Sequence, residues 1–282
     1  MVLAMLASGW RRLLIGMIVM ALICLQSKPG AAQTLPPPTL NKEQKVLLTN
    51  VAGATLIAAW GAFTWDYGDR ELHFKSEDWF TRNTMHGGAD KLGHFYSNYT
   101  LTQLLAHRFE SWHYPKKYAA RYAALSSLGL LSFMELGDGF SAFGFSYQDA
   151  VMNLLGNVVG YYSYLSPSLN RLMDFRVEYL PTWSKKDVFT DYEGLKYLMA
   201  IKMEGINTIH NPTIRLLELH LGFFARGYEA SATGPRKRNV YLAVGINFSS
   251  ILRKQSYPKT AHLFNYLQLP YSYLAKEKDL NQ

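Results

Sequence analysis

Two polar cassettes interrupt stretches that otherwise read as apolar helix: DKLGHFYSNY from Asp90 to Tyr99, and ELGDGFSAFGFSYQDAVMNLLGNVVG from Glu135 to Gly160. They put Asp90, His94, Asn98, Glu135, Asp138, Asp149 and Asn153 where a helical core ordinarily carries Leu or Ala. A buried polar group without a partner costs about 1–3 kcal/mol, and an unpaired charge far more. These side chains must therefore satisfy one another or hold something between them.

Residues four apart stack on one helix face, so Asp90, His94 and Asn98 line one side of a helix that starts with an acidic residue at its positive end. Asp149 and Asn153 stack likewise on a later helix, and Gly156, Asn157 and Gly160 continue that stripe. Gly156 and Gly160 form a small-x-x-x-small pair that lets another backbone approach closely. Glu135 and Asp138 close the helix between, and all of these residues can converge on one pocket.

Three uses of that pocket compete. In a structural one, His94 and Asn98 satisfy Glu135, Asp149 and Asn153 in a hydrogen-bonded network that fixes helix register, with Asp90 and Asp149 as helix-start residues. In a second, the head group of a lipid or lipid-linked phosphate sits there, with Lys91 and the amides near Gly137–Gly139 as anion contacts. In a third, His94, Glu135, Asp138 and Asp149 hold a divalent cation, a poor zinc set but a tolerable manganese or magnesium set, with His86 and His107 as further candidates. No HExxH, Gly-x-Ser-x-Gly, paired-cysteine or P-loop motif is present. No catalytic residue is assigned and no cofactor is expected.

The first 32 residues read as an export signal: Arg11 and Arg12, an apolar run from Leu13 to Leu25, then small residues before a cut after Ala32. Cys24, the one cysteine, lies in that signal, which leaves the mature chain without thiol chemistry. Cys24 is also a candidate for lipidation, but Ile23 stands where a lipoprotein signal needs a small residue. Loss of Arg11, Arg12 and Lys28 takes the formal charge from +8 to +5, with basic patches at Arg236–Arg238 and around Lys116. An exported chain of this charge has no nucleic-acid partner to expect; anionic lipid or simple solubility explains the patches.

A Pro-rich spacer (33–45) leads to VLLTNVAGATLIAAWGAFTW from Val46 to Trp65, either a membrane span or a central helix buried on all sides. Helices follow over Asp90–Ser111, Lys117–Leu136 and Tyr147–Leu165, giving a helical bundle domain over 46–170. From 171 to 282 the period becomes two. Leu195, Tyr197, Met199 and Ile201, then Leu217, Leu219, Leu221 and Phe223, then Val240, Leu242, Val244 and Ile246 each share one apolar face, opposite polar positions such as Lys202, Glu218 and His220. Three such strands and a weaker one at Asp174–Leu180 make an antiparallel sheet. We expect its apolar face to pack on the helices and its polar face to be solvated; a lipid-facing partial barrel formed by association is the other arrangement these strands fit.

DKLGHF, ELGDGFS and GFSYQDAVMNLLGNVVG, followed by a KYL strand and LGFFARGY, together resemble the YfiM-like family of predicted periplasmic lipoproteins, which has no assigned biochemical function. The helical cassettes are more distantly similar to VanZ-like membrane proteins. The resemblance implies an exported cell-envelope location. The expectation is an α+β protein, an N-terminal four-helix apolar bundle with a polar internal cluster followed by an antiparallel sheet of three to four strands. It would be periplasmic and associated with a membrane, the outer more than the inner, acting as a non-enzymatic component that binds a membrane lipid or an envelope protein. A metal-dependent hydrolase of lipid or lipid-linked phosphoesters and a purely structural envelope protein are the alternatives.

Overall fold

Asn41 opens the first helix with a capping box: its side chain accepts from the Gln44 amide while the Gln44 side chain accepts from its own N–H. The helix, α1 (Lys42–Thr64), starts inside the expected spacer. The computed structural model describes residues 40–182, 187–229, 232 and 234–282; the expected signal 1–32, Cys24 and the spacer up to residue 39 lie outside them. Among the described residues α1 is the one helix both long and apolar enough to cross a membrane. Only its Gly61 is buried. A central helix enclosed on all sides is thus corrected to a peripheral one lying along a single neighbour.

That neighbour is α3 (Lys116–Asp138), which with α2 (Ala89–Ser111) and α4 (Tyr147–Leu165) completes the expected bundle. The boundaries follow local chemistry. Gly88, at φ +90°, turns the chain into α2 in a conformation L side chains rarely adopt; Ser146 caps α4 by accepting from the Asp149 amide. The centre of the molecule is α2, with α3 and α4 on one side and the sheet on the other. Gly156 makes the α2–α4 contact possible, because a Cβ there would lie 2.0 Å from the Phe95 carbonyl oxygen. Side chains glue the same seam: the Asn157 amide nitrogen lies 3.1 Å from Asn98 Oδ1, 3.0 Å from Thr102 Oγ1, 2.8 Å from Ser127 Oγ and 2.9 Å from the Ala124 carbonyl oxygen.

A short helix, α5 (Pro167–Leu172), leads into five antiparallel strands in chain order: β1 (Met173–Tyr179), β2 (Leu195–Lys202), β3 (Leu217–Arg226), β4 (Lys237–Ile246) and β5 (Tyr273–Asp279). Two short helices, α6 (Phe248–Lys254) and α7 (Pro258–Leu263), separate the last two strands. The α+β expectation holds, with β5 added as a strand that three to four did not include. Packing of the apolar face on the helices holds for β1 and β2, where Phe175 meets Phe95 and Tyr99 and Tyr197 meets Tyr96. It fails for β3 to β5, where Leu219, Leu221, Leu242, Val244 and Leu274 are all exposed.

The expected solvated face is instead the buried one. The sheet curls until Tyr273 of β5 donates to Glu178 of β1 at 2.6 Å. Its concave side encloses Arg176, which grips both Glu218 oxygens at 2.6 and 2.9 Å and also donates to Asp174 and Gln268. Lys202 reaches Asp174 at 2.8 Å and His220 reaches Glu218 at 2.9 Å. Such ions survive burial because each has a partner with good geometry.

Two glycines test the close helix contact. Gly156→Ala is expected to lower stability by about 1–3 kcal/mol or more through overpacking against Phe95. Gly129→Ala, on α3 with nothing within 4 Å of the added methyl, is expected to be neutral or to raise stability by up to about 1 kcal/mol. Urea unfolding of both variants under identical conditions measures the difference; equal effects contradict the packing.

Candidate functional site

The site is built where the starts of α2 and α4 meet the end of α3 and the irregular connection 66–88. Asp90 and Lys91 lie in the first turn of α2 and His94 one turn on. Lys91 is fully buried, and its ammonium lies 2.7 Å from Glu77 Oε2, 2.9 Å from Asp90 Oδ2 and 2.9 Å from Asp149 Oδ1. Lys75, itself partly exposed, approaches the other Glu77 oxygen at 3.7 Å, so one buried and one partly exposed ammonium face three carboxylates. Burial pushes Glu77 up to about 7 even with Lys91 beside it, and Asp149 and Asp90 add to the effect.

Glu135, on the last turn of α3, accepts the Ser146 amide on one oxygen at 2.6 Å. Ser146 also caps α4, so one residue ties the two helix ends together. Gln148 reaches across to Ser76 at 2.9 Å and fixes the connection that carries Glu77. The Nε2 of His94 stands 3.8 Å from Asp149 Oδ1.

Several polar atoms inside this shell have no hydrogen-bond partner in the protein: Glu135 Oε2, His94 Nδ1, Asn98 Nδ2, Asp90 Oδ1 and both side-chain atoms of Asn153. Glu135 is 2 % exposed and Asn153 1 %. His94, Glu135 and Asp149 each offer a ligand atom within 4.8 Å of the others, and so do Glu77, Asp90 and Asp149. The two triads share Asp149. Such a spacing suits a hard divalent cation taking one imidazole and several carboxylate oxygens.

Of the sequence-predicted residues, Asp90, Lys91, His94, Glu135 and Asp149 are brought together directly. Asn153 points into the same interior without a partner, while Asn98 accepts from Asn157 on one atom only. Asp138 belongs to neither triad; it lies beside Tyr67, whose hydroxyl donates to the Met134 carbonyl. The direct pairing of His94 and Asn98 with Glu135 and Asn153 is not formed. Nor is the anion cradle: Lys91 spends its charge on carboxylates, and the Gly139 N–H donates back to the Glu135 carbonyl. His107 lies at the far end of α2 against Tyr164 and His262, and His86 stacks on Tyr192. Glu77 escaped the sequence reading because it sits in a connection without periodicity, where a single carboxylate gives no signal.

All of these pocket residues lie in one continuous stretch of chain. Residues 76–165 match the family model described as "Predicted periplasmic lipoprotein (DUF2279)". The match begins beside Glu77, ends with α4 and stops short of the sheet, so it covers the pocket and under half of the chain. It supports an exported, membrane-anchored envelope protein of a family without assigned function. No curated protein and no solved structure matches the chain.

Lys91→Met would leave Glu77, Asp90 and Asp149 uncompensated and is expected to destabilise by ~3–5 kcal/mol. The loss should be larger at pH 8 than at pH 5, because carboxylates left without a cation ionise as pH rises and are neutral when protonated. Adding Asp149→Asn should restore part of it. Thermal unfolding of the single and double variants at the two pH values checks this; a pH-independent loss contradicts it.

Proposed function

We propose that the chain is a non-catalytic, membrane-associated envelope protein that binds one divalent cation inside its helical bundle, at His94, Glu135 and Asp149, with the Asn153 amide oxygen and the Glu77–Asp90 pair around it. One observation carries the reading. Glu135 Oε2 and His94 Nδ1 are buried and unpartnered, His94, Glu135 and Asp149 each offer a ligand atom within 4.8 Å of the others, and Asn153, one turn on from Asp149, is buried without a partner for either polar atom. A lone carboxylate oxygen in such a place is costly, and a cation removes the cost for several groups at once. The burial of Glu135, Asp149 and Asn153, none more than 5 % exposed, suits an ion rather than a lipid head group or an ester substrate. The YfiM-like and VanZ-like motif resemblance is consistent with an envelope role in which the cassettes serve as ligands.

The test is equilibrium dialysis of the purified protein against Mn²⁺, Mg²⁺, Ca²⁺ and Zn²⁺, read by elemental analysis. About one Mn²⁺ or Mg²⁺ per chain is expected at neutral pH, with affinity falling below pH ~7 as Glu77, pushed up to about 7 by burial, takes up a proton. Glu135→Gln and Asp149→Asn should lose the ion while keeping the wild-type circular dichroism; Asn157→Ala should keep it. Absence of stoichiometric metal, or equal binding by Asp149→Asn, overturns the proposal.

A further inference from the structure

Beside an apolar core that includes Leu105, Phe109, Leu130 and Leu131, the bundle buries polar side chains and turns large apolar ones outward. On α4 the buried face carries Gln148, Asp149, Asn153, Gly156, Asn157 and Ser163, while Val151, Leu154, Leu155 and Val158 are exposed. On α3, Ser126, Ser127 and Glu135 are buried while Leu125 and Phe133 face outward, Leu125 at 69 % exposure. From Val46 to Trp65 there is no ionisable side chain, and Phe63 of α1 is 90 % exposed. A water-soluble bundle arranges its residues the other way round.

The ends of this apolar belt are chemically marked. At one end Lys42 lies over Tyr114, Lys45 and Arg108 over Trp112, and Lys116 over Tyr164. This brings together the start of α1, the end of α2, the start of α3 and the end of α4. At the other end Trp65 packs with Tyr67 and Trp79 with Tyr147, where α1 stops and α4 starts. Aromatic residues at two levels, cations joining one of them and apolar side chains between are the pattern of a lipid-embedded protein. The 23 residues of α1 span about 35 Å, enough for a hydrocarbon core of about 30 Å.

We propose that the outer faces of α1, α3 and α4 are in contact with the acyl chains of a bilayer, so that the bundle is inserted in the membrane with its Lys42–Lys116 end at the anionic head groups. The cations there complement those head groups, which selects a lipid partner over a protein one. Taken as a whole helix α3 is less apolar than α1, because one of its faces lines the polar interior, where membrane proteins keep such residues. This proposal is independent of the metal reading: the belt and the pocket occupy opposite faces of the same helices.

Spin labelling tests it on the full chain. In a Cys24→Ser background, single cysteines replace Leu125, Leu154 and, as a water-exposed reference, Lys117. Each is labelled and reconstituted in phosphatidylethanolamine/phosphatidylglycerol vesicles. Power saturation is expected to show the Leu125→Cys and Leu154→Cys sites several-fold more accessible to O₂ than to a water-soluble nickel chelate, with the order reversed at Lys117→Cys. Nickel accessibility at all three sites would overturn the proposal by placing the bundle in water. Dipolar broadening at Leu125→Cys or Leu154→Cys would overturn it by placing a second copy on this face.

Discussion

The burial of Lys91 is the interaction on which the architecture around the pocket turns. A four-carbon stem threads from the first turn of α2 to an ammonium held by Glu77, Asp90 and Asp149, which come from the 66–88 connection, α2 and α4. Lys91 thus adds an ionic tie between the connection and α4, which the Gln148–Ser76 bond and the Ser146 cap also hold in place. The same arrangement leaves acceptors unused. Lys91 and Lys75 face Glu77, Asp90 and Asp149, and Glu135 beside them is unpartnered on one oxygen; that unused acceptor capacity is what the proposed cation would take up.

Both halves of the molecule bury polar clusters beside their apolar cores and leave large apolar side chains facing outward. In the bundle the interior holds Asn98, Thr102, Ser127 and Asn157 in a shared hydrogen-bond node. In the sheet it holds Arg176, Glu218, His220 and Lys202. Interiors of this kind gain less from the hydrophobic effect than ordinary cores and rely on directional bonds and close backbone approach, such as Gly156 against Phe95. They also define a unique packing, because a slipped register would strand a buried charge.

Much of the element order was legible in the sequence, because glycine, proline and serine punctuation is local. Tyr147–Leu165 was expected with the bounds it has, and the ends of α2 and α3 differ by one or two residues. The alternation in β2, β3 and β4 was equally plain. What alternation cannot say is which face is inside: it separates Leu219 and Leu221 from Glu218 and His220 without ranking them, and the usual rule of apolar inside gave the wrong side for β3 and β4. The fifth strand was missed because Lys276, Glu277 and Lys278 make it a charged edge, the composition edge strands adopt and strand patterns penalise. In the pocket, four-residue spacing foretold the shared face of Asp90 and His94. Lys91 was placed in the pocket as an anion contact, but the spacing could not foretell that its ammonium would be taken by carboxylates, since that depends on Glu77 arriving from a connection with no pattern.

In the proposed site a metal ion sits against the imidazole of His94 between Glu135 and Asp149. Electron spin-echo envelope modulation of the Mn²⁺-loaded protein addresses it most directly, because the echo is modulated by a nitrogen bound to the ion. A ¹⁴N coupling of a coordinated imidazole is expected, and it should disappear in His94→Gln while manganese is retained on the carboxylates. A spectrum with water protons alone, or a nitrogen coupling that survives His94→Gln, would contradict it.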